Sequence, residues 1–177
     1  MNSNSVQEFF PKVFEDERGE FLECYSASLH EMFLSKGIEF IQDNLSKSKK
    51  GTVRGLHLQK NNPQGKLVTV VSGKALDVVV DTRPNSTTLG KKYEYILCDK
   101  KRNILWVPPG FAHGFQALED DTLFLYKVTE KYDPTDDYSI NPLDPELSVS
   151  WDMSMPLLLS EKDKSAPSFK DFMRTVL

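Results

Sequence analysis

Short runs of β-branched and aromatic residues, each closed by glycine, proline, asparagine or aspartate, fill residues 51–129 and constrain the fold more than any other feature of the chain. Residues 66–71 (Lys-Leu-Val-Thr-Val-Val) and 75–80 (Ala-Leu-Asp-Val-Val-Val) flank Ser72, Gly73 and Lys74, and a glycine between two such runs marks a tight hairpin. Residues 93–97, 103–107, 115–118 and 122–128 continue the series. Their spacing leaves no room for the crossover helices of a parallel sheet. The strands must pair antiparallel, as in an all-β sandwich or barrel.

Helices are confined to the flanks. Residues 26–36 carry Leu29, Met32, Phe33 and Leu34 and stop at Gly37, which predicts a helix with a glycine cap. Phe169, Phe172, Met173 and Val176 recur at helical spacing and predict an amphipathic helix packed on the barrel. Residues 133–163, with Pro134, Pro142, Pro145 and Pro156, predict an ordered, extended excursion closing over one end of the barrel. At 177 residues, 39% hydrophobic and 27% charged, the chain suits one well-buried domain over 1–177.

The net charge of −4 and pI of 5.4 give no basic field for nucleic acid or an anionic membrane. An anionic ligand must therefore meet a local cluster of Arg and Lys. The first residues lack the apolar stretch of a signal peptide, and no apolar run approaches the roughly 20 residues that span a bilayer, so a cytoplasmic protein without membrane contact is expected. Cys24 and Cys98 form no C-x-x-C pair and read as buried thiols of a reducing compartment, not as a disulfide or metal site.

The chain has three histidines. His30 falls in the first predicted helix and reads as a surface or packing residue. Gly51-x5-His57 and Pro108-x-Gly110-x2-His113 resemble the paired motifs of the cupin superfamily, which implies an antiparallel β-barrel or jelly roll. Where metal-binding cupins continue the first motif with a second histidine and a glutamate, this chain has Gln59 and Gln64. Two imidazoles and two neutral amides suit a divalent transition metal poorly, because such ions prefer imidazole, carboxylate or thiolate donors. No metal and no other cofactor is expected. His57 is then free to act as a base, with an unperturbed imidazole pKa near 6.5.

Arg54-Gly-Leu-His57, Gln64-Gly-Lys66-Leu, the run Pro108-Pro-Gly-Phe-Ala-His-Gly-Phe115, Phe124-Leu-Tyr-Lys127 and Leu159-Ser-Glu-Lys-Asp163 together resemble the dTDP-4-dehydrorhamnose 3,5-epimerase family. The similarity takes in Asp16-Glu-Arg-Gly-Glu-Phe21 and Gln42-Asp-Asn44 and covers residues 8–167. It implies inversion of carbons 3 and 5 of dTDP-4-keto-6-deoxyglucose, with His57 as general base, Asp163 as its dyad partner, Tyr126 as general acid and Lys66 stabilising the enolate oxygen. His113 would lie close to the ring. Arg54 and Arg18 would bind the diphosphate, Glu23, Gln42 and Asn44 would shape the nucleotide site, and Phe21 and Tyr132 would stack on thymine. Family members are dimers that exchange residues across the interface, so a homodimer is implied. Asp77 is a further candidate for supporting the histidines.

The reaction itself asks for this set. A C–H beside a ketone yields its proton to imidazole only if the oxyanion that forms meets a cation, and inversion requires a base and an acid on opposite faces of the ring. A carboxylate against imidazole fixes its tautomer and raises its basicity, and the planar fork of arginine matches a diphosphate. Two departures bear on specificity: Leu58 replaces an aromatic residue often found beside the family histidine, and residues 140–144 stand where many members are more acidic and hold a tryptophan. Three alternatives remain open: a one-centre epimerase on the same scaffold, a metal-dependent cupin enzyme, and a non-catalytic sugar-nucleotide binder.

Overall fold

The computed structural model describes residues 4–27 and 37–176. Two five-stranded antiparallel sheets face one another. The first runs in the order β1 (Gln7–Phe9), β9 (Ile104–Val107), β6 (Lys66–Ser72), β11 (Thr122–Val128) and β4 (Gln42–Ser48). The second runs β12 (Asp137–Ser139), β5 (Val53–Gln59), β10 (Phe111–Ala117), β7 (Lys74–Asp81) and β8 (Lys92–Cys98). A separate hairpin pairs β2 (Val13–Asp16) with β3 (Gly19–Leu22). Strands adjacent in sequence repeatedly cross between sheets, which gives the expected all-β jelly roll.

Strand alternation decides what fills the space between the sheets. Val68 and Val70 of β6, Ala75 and Val79 of β7, Phe111 and Phe115 of β10 and Phe124 of β11 meet there. The rings of Phe115 and Phe124 stack in parallel with centroids 4.0 Å apart and join the two sheets. The intervening residues Leu76, Val78 and Val80 point to the outer side of the second sheet, with Leu56, Leu58 and Ala112. A sheet covered on both faces reads as a near-continuous apolar run, which explains residues 75–80.

Residues 133–163 were expected to close one end of the barrel; instead, much of this excursion lies across the outer face of the second sheet, where Ile140, Leu147 and Trp151 cover those aliphatic side chains. The reason is energetic: an uncovered row of Leu and Val would leave a large apolar patch in water. The excursion is pinned at Gln116, whose amide donates to Asp152 O (2.9 Å) and accepts from Asp152 N–H (2.7 Å), and at Trp151, whose indole donates to Pro142 O (2.7 Å). It contributes β12 and a one-turn helix, α1 (Glu161–Lys164).

The C-terminal helix α2 (Phe169–Val176) forms as its periodicity predicts, and buries Phe172 and Met173 on the same outer core, at about 1.5–3 kcal/mol each. The helix expected over residues 26–36, His30 included, lies outside the described residues from 28 onward.

One irregularity sets up the site. Along β5, Val53, Leu56 and Leu58 face the outer core, so Arg54 and His57, three positions apart, share the inner side. Strict alternation would put them on opposite faces. The pattern slips by one at Gly55 (φ +121°), where β5 and β10 shift register and come together. A Cβ at Gly55 would lie 2.6 Å from Gly114 Cα, and one at Gly114 would lie 2.6 Å from Arg54 O. Glycine at both positions permits the approach, and it brings His57 directly opposite His113.

Candidate active site

At one end the filling between the sheets gives way to a cavity of about 460 Å³. Arg54 and His57 of β5, Lys66 of β6, His113 of β10 and Tyr126 of β11 line it together with Asp163 of α1. Its space exists because β4, the edge strand beside β11, turns Gln42, Asn44, Ser46 and Ser48 inward in place of aliphatic residues.

The two histidines each hold a carboxylate. His57 Nε2 is 2.6 Å from Asp163 Oδ1, and His113 Nε2 is 2.8 Å from the fully buried Asp77 Oδ2. Burial works to raise the Asp163 pKa, but hydrogen bonding to His57, the His57 charge, and hydrogen bonds from Ser160 and the Gly55 backbone outweigh it and hold the carboxyl below its ordinary value. Nε2 is the engaged nitrogen on each ring.

Lys66 is 8% exposed, and its ammonium makes no hydrogen bond or ion pair with any described residue. Desolvation pulls its pKa down from 10.5 to about 8, against the opposing charges of Asp137 and Asp77. Tyr126 is likewise unpaired, and burial raises the pKa of its phenol despite the nearby Arg54, so it keeps its proton. Arg54 donates Nε to Ser48 Oγ at 3.2 Å and has its terminal nitrogens free among the described residues. A buried cation, a phenol, a guanidinium and two carboxylate-bound imidazoles therefore line one space, and among the described residues the Lys66 ammonium, the Tyr126 hydroxyl and the terminal nitrogens of Arg54 have no hydrogen-bond partner. Such a set is built for a ligand carrying several oxygens, some of them anionic.

A transition metal does not fit here. The Gln59 amide is occupied in loop backbone, donating to Asn62 O and Lys131 O and accepting from Asp133 N–H, and Gln64 donates to Glu130 O. Both imidazoles are bound to carboxylates, and no group of three or more potential ligands gathers among the described residues.

Other residues anticipated from the sequence stand apart. Gln42 and Asn44 hydrogen bond to each other (2.8 Å), Gln42 accepts from Tyr132 N–H (3.4 Å), and Asn44 lies directly opposite Tyr126, so these three form a group beside the cavity. Arg18, Phe21 and Glu23 lie on or just after the exposed β2–β3 hairpin and do not line the cavity of their own chain. Arg18 pairs with Asp16 at 2.6 Å, both largely in water, and Phe21 is 70% exposed. Leu58 and Ile140 pack in the outer core and do not border the cavity.

Asp137 belongs to none of the motifs that point to the site. It accepts from Tyr132 Oη (2.9 Å) and pairs with Lys162, and its charge bears on both Lys66 and Tyr126. Its strand, β12, is three residues long and carries no periodic signal.

The family model for dTDP-4-dehydrorhamnose 3,5-epimerase matches residues 3–171. The chain belongs to the dTDP-4-dehydrorhamnose 3,5-epimerase family. As a member it is an isomerase-class sugar-nucleotide epimerase. The Methanothermobacter thermautotrophicus family enzyme is 44% identical over 159 residues, 88% of this chain and 84% of its own length. The Salmonella typhimurium enzyme is 44% identical over 158 residues, 89% and 86% of the two chains. Among solved structures, the 3,5-epimerase of Legionella pneumophila in complex with dTDP-4-keto-L-rhamnose superposes with a TM-score of 0.93 at 40% identity, covering 97% of this chain and 92% of that one. A 3'-monoepimerase from Streptomyces bikiniensis in complex with dTDP-quinovose reaches the same TM-score at 29% identity, covering 97% and 88%. The family's fold is thus shared by one-centre and two-centre epimerases.

Proposed function

We propose that the chain converts dTDP-4-keto-6-deoxy-D-glucose to dTDP-4-keto-L-rhamnose, inverting carbons 3 and 5 in dTDP-L-rhamnose biosynthesis. The observation that carries this reading is the buried Lys66 ammonium, unpaired among the described residues, in the same cavity as the His57–Asp163 pair and the Tyr126 phenol. His57 Nδ1 takes the proton from the carbon beside the ketone, and the electron pair moves onto the carbonyl oxygen. Lys66 meets the enolate that forms, with His113 close by. Tyr126 then delivers its proton to the opposite face of the carbon, and solvent exchange returns the imidazolium and the phenolate to their starting states. Arg54 and Arg18 bind the diphosphate, Gln42, Asn44 and Glu23 form the nucleotide site, and Phe21 and Tyr132 stack on thymine. No step uses a metal or an organic cofactor.

Proton NMR in deuterium oxide tests the reaction. Solvent deuterium should enter at both carbons of the product, because each inversion replaces a carbon-bound proton with one from an exchangeable acid. Deuterium at one carbon alone would instead establish a one-centre epimerase, the reading that the 29%-identical Streptomyces relative keeps open.

The enzyme works as a cytoplasmic homodimer, each chain acting as one domain, in this proposal. In support, the hairpin and the outer side of β4 expose Phe14 (52%), Phe21 (70%) and Leu45 (62%), an apolar surface suited to a second copy. Arg18, Phe21 and Glu23 would then serve the partner's cavity. Among the described residues, no helix is long and apolar enough to cross a membrane. Co-expression of Arg18→Ala with His57→Asn checks the exchange: random pairing should restore about a quarter of wild-type activity, since half the dimers hold one intact site of two. No recovery would place Arg18 with the cavity of its own chain.

A further inference from the structure

The carboxylate of the dyad depends on a strap of chain that reaches it from outside the sandwich. Residues 157–160 run alongside the start of β5, with Leu158 N–H donating to Gly51 O (2.9 Å) and Val53 N–H donating to Leu158 O (2.9 Å). The strap ends at Ser160, which lines the cavity and has extended backbone (φ −69°, ψ 158°) as the N-cap of α1. Its hydroxyl oxygen accepts from the Asp163 backbone N–H at 3.1 Å. Asp163 stands three residues into that turn, 3% exposed, with its carboxylate 2.6 Å from His57. One turn of helix has little stability of its own. The cap bond and the strap therefore fix where the carboxylate sits.

We propose that Ser160 is a positioning residue of the epimerase: by capping the single turn that carries Asp163, its hydroxyl sets the alignment of the His57–Asp163 pair. The inference rests on the proposed role of that pair. An N-cap serine anchors the backbone of the residue it caps, and a short turn passes that constraint directly to the side chain. A carboxylate that drifts from the imidazole stabilises the imidazolium less, so His57 holds its proton less tightly. The charged and titratable groups that line the cavity with the pair are Arg54, Lys66, His113 and Tyr126, while Lys162, next to Asp163 on α1, pairs with Asp137 of β12, and replacement of Ser160 changes none of these side chains.

The test is the pH profile of kcat/KM for Ser160→Ala and Ser160→Thr beside wild type. Ser160→Ala is expected to lower kcat about tenfold and to move the acid limb of the profile toward lower pH by about half a unit. Ser160→Thr, which keeps the capping hydroxyl, should restore both. A purely structural loss reduces the amount of active enzyme by the same factor at every pH and leaves the limb in place. Ser160→Ala with an unmoved limb, or Ser160→Thr that fails to restore it, overturns the positioning role. A His57→Asn control separates the two levels: if it keeps turnover, the dyad reading itself falls, whereas an inactive control with an unmoved limb in Ser160→Ala rejects the Ser160 role alone.

Discussion

His57→Asn is expected to reduce turnover by about 10³–10⁴-fold while leaving dTDP affinity near that of wild type. The side chain occupies a similar volume and retains a polar end toward Asp163, so the cavity wall is kept while the basic nitrogen is lost. Arg54, the proposed diphosphate ligand on the same strand, is untouched, which is why binding should survive. Isothermal titration with dTDP and a solvent-deuterium exchange assay measure the two quantities separately. Exchange into substrate at wild-type rates in this variant would show that another group removes the proton. A non-catalytic binder predicts a different outcome, with nothing measurable changed at all.

Lys66→Met should have two effects of opposite sign. Activity should fall by about 10²–10³-fold, the usual consequence of removing one group that stabilises a developing oxyanion. Stability should rise. The Lys66 pKa is about 8 in the folded chain against 10.5 ordinarily, so the unfolded chain binds more protons between those values and folding stability climbs as pH increases through that window. At neutral pH the full penalty of the buried charge is present, on the order of 3 kcal/mol. Methionine fills a similar volume without charge, and thermal unfolding at pH 7 should shift upward by several degrees. The same titration predicts that wild-type kcat/KM declines as pH rises past about 8, where the ammonium loses its proton before substrate arrives. A variant that is both less active and less stable would mean that Lys66 has a partner in solution and is not held in reserve for the substrate.

The parts of the fold that were legible in the sequence are those in which burial and strand period agree. β6, β7 and β11 are long, β-branched and buried, and their pattern leaves little choice. β4 escaped because its inward positions are Gln42, Asn44, Ser46 and Ser48, so polar residues stand where aliphatic ones would mark a core strand. β10 begins at Phe111, four residues before its expected start, because Ala112, His113 and Gly114 carry no β-branched or aromatic run that would mark a strand. The 133–163 segment was seen as ordered, but its destination depended on the aliphatic outer face of β5, β7 and β10, a tertiary fact that no local pattern carries. The motif residues His57, Lys66, His113, Tyr126, Arg54 and Asp163 line one cavity. Asp77 also found its histidine. Arg18, Phe21 and Glu23 stand away from the cavity because motif spacing along the chain says nothing of where an exposed hairpin lies, and Asp137 was hidden because a three-residue strand has no period to read.

The register slip at Gly55 has a bearing on which ketosugars the enzyme accepts. It places the guanidinium and the imidazole on one strand and in one cavity, so that in the proposed mechanism no loop separates the group that binds the phosphates from the atom that removes the proton. In that mechanism the spacing would act as a ruler: a sugar would be processed when its acidic carbon falls at the mark, measured from its own diphosphate. Selectivity among ketosugars would then follow from the length and pucker of the substrate, and redesign for a longer donor would begin by altering the β5–β10 crossing, leaving the reacting groups as they are.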